Sequence, residues 1–127
     1  MRVALAALAL AAGCAAETEL PPRQEARQWA LANATPVGEP EDCILRRNVG
    51  HTVVLDDRTV DFHMSDGRLM RSRLPDACPG LAFDESFFYR TSLDRLCASD
   101  LITVRTSTGP GPTCGLGAFQ RVEIARR

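Results

Sequence analysis

His51-Thr52-Val53-Val54-Leu55-Asp56-Asp57-Arg58-Thr59-Val60-Asp61-Phe62-His63-Met64 is the stretch that decides the fold. Two runs rich in branched and aromatic residues flank a cluster of turn formers, the pattern of a β-hairpin. A two-residue turn at Asp57-Arg58 sets Leu55 against Val60, Val53 against Phe62 and His51 against Met64. This register gathers the apolar side chains on one face and leaves Asp61 and His63 on the other. A slip of one residue would put Val53 opposite Asp61, so the pattern favours the unslipped pairing. Ser65-Asp66-Gly67-Arg68 makes the next turn, and Leu69 to Leu74 reads as a third strand stopped by Pro75.

Further strands are expected over Ser86–Arg90, Leu101–Arg105, whose residues are branched, and Phe119–Ala125. Thr108-Gly109-Pro110-Gly111-Pro112 reads as a loop, because proline cannot donate to a ladder. Phe83, Phe87, Phe88 and Tyr89 are assigned to the core that a small β domain needs. About six short strands without a long helix predict an all-β fold. We expect an antiparallel meander over residues 43–127, closing into a barrel or sandwich and stapled by disulfides.

The amino terminus reads differently. Met1-Arg2-Val3 precedes an unbroken Ala/Leu run, Ala4 to Ala12. At about nine residues the run is far short of the roughly 20 that span a bilayer. One positive residue, a short apolar core and small residues after it have the layout of an export signal over residues 1–13. Ala11-Ala12-Gly13-Cys14 resembles the lipobox of bacterial lipoproteins, which makes Cys14 the expected lipidation site. Position 11 holds Ala where Leu is commonest. Cleavage after Ala16 is the alternative, and it would leave a soluble periplasmic protein. Residues 14–42 carry prolines and six acids against two arginines, and are expected to be a flexible tether with a short helix over Arg23–Ala34 begun by Pro22.

With Cys14 given to lipid, Cys43, Cys78, Cys97 and Cys114 remain, an even number suited to an oxidising compartment. None lies in a CxxC pair, which argues against a zinc ribbon or a dithiol redox centre. Strand direction narrows the pairing. In an up-and-down meander Cys43 and Cys97 fall at one end and Cys78 and Cys114 at the other. Strands of about 17 Å keep the two ends beyond disulfide reach. The expected bridges are Cys43–Cys97 and Cys78–Cys114. Without the strand at Ser86–Arg90 the parity reverses, giving Cys43–Cys114 and Cys78–Cys97.

No catalytic constellation emerges. The register above sends His51 and His63 to opposite faces, so no metal or cofactor site is expected from them. Asp56 and Asp57 are turn formers, and Asp61 is expected to pair across the strands with Arg71 or Arg73. No serine stands in a nucleophile elbow, and Gly115-Leu116-Gly117 is too short to cradle phosphate. Residues 43–127 hold ten acids and twelve arginines, a net charge of plus two that is far too small to suggest a nucleic-acid surface.

Cys43-Ile44, Val54-Leu55-Asp56-Asp57-Arg58-Thr59-Val60-Asp61-Phe62, Leu74-Pro75-Asp76-Ala77-Cys78-Pro79-Gly80-Leu81, Phe88-Tyr89-Arg90-Thr91-Ser92-Leu93, Arg95-Leu96-Cys97, Asp100-Leu101-Ile102-Thr103-Val104 and Cys114-Gly115-Leu116-Gly117-Ala118-Phe119 are an ordered set of blocks. Together they resemble a family of short exported proteobacterial proteins, of lipoprotein type and with no assigned reaction. The resemblance covers most of residues 43–120 and implies export, paired cysteines and a scaffold role for the recurring Cys, Gly, Pro and aromatic residues. The expectation is a non-enzymatic cell-envelope lipoprotein, held to the outer membrane through its lipid anchor, facing the periplasm and partnering another envelope protein. A periplasmic small-ligand or metal-binding β domain is the alternative.

Overall fold

A computed structural model describes residues 19–127, together with residues 4, 6–8 and 13. Cys14 and most of the expected leader lie outside the described residues. Among the described residues the chain forms ten strands, two α-helices and one 3₁₀ turn over Arg46–Asn48. These are α1 (Pro22–Ala32), β1 (Ala34–Pro36), β2 (Cys43–Leu45), β3 (Val49–Asp56), β4 (Thr59–Met64), β5 (Leu69–Arg73), α2 (Leu81–Asp84), β6 (Phe87–Tyr89), β7 (Arg95–Cys97), β8 (Leu101–Thr106), β9 (Gly109–Gly115) and β10 (Phe119–Ile124).

Three antiparallel sheets result: a five-stranded one in the order β1-β10-β5-β4-β3, a three-stranded one in the order β6-β8-β9, and the pair β2-β7. The two larger sheets face each other as an open sandwich and do not close into a barrel. Val60, Phe62, Met64, Met70 and Phe119 of the first meet Ile102 and Val104 of the second in one core. Phe62 stands edge-on to both Phe119 (centroids 5.4 Å apart) and Phe87 (6.4 Å). Burying a phenylalanine completely contributes about 1.5–3 kcal/mol, and Phe62 has no exposed surface. Ile44, Leu96 and Leu81 complete the core from β2, β7 and α2.

The bridges are Cys43–Cys97 and Cys78–Cys114, the pairing that strand parity leads one to expect. The first joins residues directly opposite each other on β2 and β7, a short strand pair absent from the sequence reading. The second ties β9 to buried Cys78.

Four expectations need correction. The tether over residues 14–42 is, from Pro22 on, folded into the domain. β1 extends the five-stranded sheet by pairing with β10, and the Trp29 indole N–H donates to the Ala125 carbonyl at 2.8 Å. The segment around Pro110 is strand β9, not a loop. It tolerates its prolines because β9 is the edge of its sheet, and Pro112 falls where the pairing with β8 shifts register. Phe83 is 89% exposed, while Phe87 and Tyr89 pack against the core from half-buried positions.

The fourth correction concerns the hairpin. Its turn lies at Asp57-Arg58 as expected, with Asp56 opposite Thr59. One residue on, the ladder slips: Val54 faces Val60, Val53 faces Asp61 and His51 faces His63. Leu55 is the extra residue of a bulge. The slip is affordable because the outer face of this hairpin is roofed by α1, so Val53 and Leu55 find cover there.

The approach of the β9–β10 connection to β5 needs a glycine. A Cβ on Gly117 would sit 2.0 Å from the Arg73 carbonyl oxygen. In the space left, the Ser72 hydroxyl accepts from the Gly117 N–H at 3.0 Å and donates to its carbonyl at 2.9 Å.

Candidate functional site: the cleft under helix α1

Helix α1 begins with Pro22, whose fixed φ and missing N–H suit a first helical position. It contains no glycine, places Glu25 in its first turn, and ends where the backbone and side-chain N–H groups of Asn33 both reach the Trp29 carbonyl. Its packing side is small, with Ala26 and Ala30 towards the sheet. The helix therefore sits close over β3 and β4 without filling the space between them. What remains is a cleft of about 420 Å³ lined by Val53, Leu55, Asp61, His63 and Ile124 from the sheet and by Arg23 and Arg27 from the helix.

Two carboxylates, each held by arginine, frame it. Asp61 is 1% exposed, and both its oxygens accept from Arg71, Oδ1 from Nε at 2.7 Å and Oδ2 from Nη2 at 3.0 Å. The same Nη2 donates to the Ala30 carbonyl at 3.1 Å, which ties the sheet to α1. This is one of the two cross-strand partners foreseen for Asp61, and it is half-buried. At the other end Glu85 bridges Arg23 (3.1 Å) and Arg27. The hydrogen bond from Arg27, helped by the charges of Arg27 and Arg23, holds the Glu85 carboxyl below its usual range. Glu85 sits at φ +57°, a left-handed conformation that a residue with a side chain rarely adopts.

His63 forms part of the cleft wall. Burial lowers its pKa, the neighbouring His51 lowers it further, and Asp61 opposes both. Its ring is therefore neutral at pH 7. His51 lies against it with parallel rings, 4.3 Å between centroids and 9° between planes. The expectation that the two histidines face opposite ways is thus reversed by the one-residue slip.

The remaining candidates are structural. Asp56 Oδ1 accepts from the Arg58 N–H at 2.8 Å, and Asp57 Oδ1 from the Ala82 N–H at 2.9 Å, which anchors α2 to the hairpin turn. Arg58 reaches across to the carbonyls of Leu74 and Pro75. Asp56 and Asp57 are spent on these bonds and lie apart from Asp61. Among the described residues no group of three or more His, Cys, Asp or Glu is placed to hold a metal ion.

Arg23, Arg27 and Glu85 were missed in the sequence. The four-residue spacing of the arginines on a helix gave a signal, since it puts them on one side. Glu85 gave none. Chemically, the cleft offers an apolar floor and a charged rim whose carboxylates already hold arginines. Its lining contains no serine or cysteine nucleophile. No family model, curated protein or solved structure matches this chain. No helix among the described residues is long and apolar enough to cross a membrane. The two disulfides fit an oxidising compartment outside the cytosol.

Proposed function

We propose that this chain is a non-enzymatic, lipid-anchored protein of the cell envelope whose folded domain is a binding module, with the cleft under α1 as the seat of a small, largely apolar ligand. The observation that carries the binding role is the cleft itself. Its volume of about 420 Å³ lies within the range of small-molecule sites, and its apolar floor with a few polar groups at the rim has the composition such sites share. The occupied state of its carboxylates supports binding over acid–base chemistry. Lipid anchoring is supported by the resemblance of Ala11-Ala12-Gly13-Cys14 to a lipobox and by the paired state of the other four cysteines. Ala15 after the cysteine supports outer-membrane residence, since an aspartate there is the inner-membrane retention signal of enteric bacteria.

The cleft is tested with 1-anilinonaphthalene-8-sulfonate, an apolar fluorophore with one acidic group. The native protein should bind one equivalent saturably, and Ala26→Trp, which fills the cleft from the helix side, should weaken binding at least tenfold without lowering Tm. Equal binding by both proteins, or no saturable binding, overturns the cleft as the seat. Anchoring is tested separately in a Gram-negative host. The protein should partition with membranes and carry the mass of a diacylglyceryl and an acyl group, and Cys14→Ser should abolish both. An unaltered mass and partition in that variant removes the anchor from the proposal.

A further inference from the structure

His51 and His63 occupy directly opposed positions on β3 and β4, a placement that projects both side chains to the same side with Cβ atoms about 4.5–5.5 Å apart. Their rings stack at 4.3 Å. The two jaws of this pair differ in freedom. His63 is held on a strand paired on both sides, with β3 and β5. His51 lies on the sheet edge, with its side chain exposed. An imidazole ligates a metal ion through a nitrogen lone pair that lies in the plane of its ring.

Two nitrogens bound side by side to one ion at about 2.0–2.1 Å each stand about 3 Å apart. In the stack the in-plane lone pairs do not converge, so chelation takes the exposed His51 ring out of the stack by rotation of its side chain, until one nitrogen of each ring faces the same ion. Among the described residues no third protein ligand stands beside them. Asp61, on the same face of β4 as His63, has both its oxygens held by Arg71. The donor set is therefore two imidazole nitrogens, with water on the open side. Zinc sites draw three or four ligands from the protein. A tetragonal set of nitrogen and water oxygen suits copper(II), which also stands highest in affinity among the divalent first-row ions. We infer that His51 and His63 together bind one copper(II) ion as a two-nitrogen chelate at the lip of the α1 cleft. The inference stands apart from the cleft's own ligand, because it needs only the slipped register of the hairpin.

The test uses the full chain, purified from the host envelope in mild detergent with a histidine-free affinity tag, and repeats it in a Cys14→Ser background, which removes the one cysteine outside the bridges. Copper(II) alone is titrated by calorimetry at pH 7.5, and the bound ion is examined by electron paramagnetic resonance. One equivalent should bind with couplings to two nitrogens. His51→Gln and His63→Gln should each weaken binding at least tenfold, and zinc(II) should bind more weakly than copper(II). Circular dichroism checks the fold of each variant, and if His63→Gln does not fold, His51→Gln decides alone. Absence of saturable binding, loss confined to one folded variant, or undiminished binding in the variants overturns the chelate.

Discussion

Val60, Phe62 and Met64 leave β4 on one side, and Asp61 and His63 leave it on the other. The strand is buried almost throughout, so both sides are interior. They are interior in different ways. The inner side meets a second sheet and is closed by apolar contact alone. The outer side meets a helix with alanines at its contact surface and is closed by a buried ion pair, an indole-to-carbonyl hydrogen bond and two stacked imidazoles. Dry packing leaves the inner side no room. Small residues and fixed polar groups leave the outer side a cleft. One alternating strand thus supplies a scaffold on one face and a candidate site on the other, and the difference lies in what the covering layer brings.

The sharpest break of this comparison is Phe62→Ala. Removing a fully buried ring at the centre of three aromatics should cost about 3–5 kcal/mol, read as a lower denaturation midpoint at unchanged m value. A loss below about 1 kcal/mol would mean that the inner side is not the dry core described. On the outer side, Asp61→Asn leaves the half-buried Arg71 without its carboxylate and should cost roughly 3 kcal/mol. Replacing both partners, Asp61→Val with Arg71→Met, should return stability to within about 1 kcal/mol of the native protein, because the desolvation cost vanishes with the charges. A double variant as weak as the single one would show that Arg71 matters more for its bond to α1 than for Asp61.

The smallest effect is a pH dependence. The pKa of His63 is lower in the folded protein than the ordinary 6.5, so below that value the unfolded chain takes up the proton first. Stability should fall as pH drops through 6.5 towards the depressed pKa and then level off. His63→Gln should flatten that slope. Asp66 and Glu85 are also shifted downwards, but their ordinary values of 3.8 and 4.5 lie well below 6.5, so the slope just under 6.5 is the part that His63 contributes. An unchanged slope in the variant would assign it to another group.

The inner side was legible in the sequence because apolar residues at period two leave few alternatives. Val60, Phe62 and Met64 were assigned to one face from spacing alone, and the turn at Asp57-Arg58 from composition. The outer side was not, for a physical reason. Helix α1 carries only Trp29 and Leu31 as large apolar residues, and it docks through alanines and hydrogen bonds, which leave no periodic signal. With the helix taken for a tether, the outer face looked solvated and the slip at Leu55 looked unfavourable. The Asp61–Arg71 pair was accessible because cross-strand charges announce themselves. The bridge from Glu85 to Arg23 and Arg27 depends on the left-handed turn after α2, and nothing in Asp84-Glu85-Ser86 signals it.

The two disulfides interleave along the chain, because Cys78 lies between Cys43 and Cys97, and Cys97 between Cys78 and Cys114. A single backbone cut anywhere from Cys43 to Cys114 therefore severs the chain without separating the pieces. The exposed segment Ser92-Leu93-Asp94 offers a protease such a place, and there both bridges span the cut. Nicked protein would migrate as one band until a reductant is added and as two bands afterwards. Hydrolysis at this loop would then leave β3 to β5 covalently joined to β8 and β9.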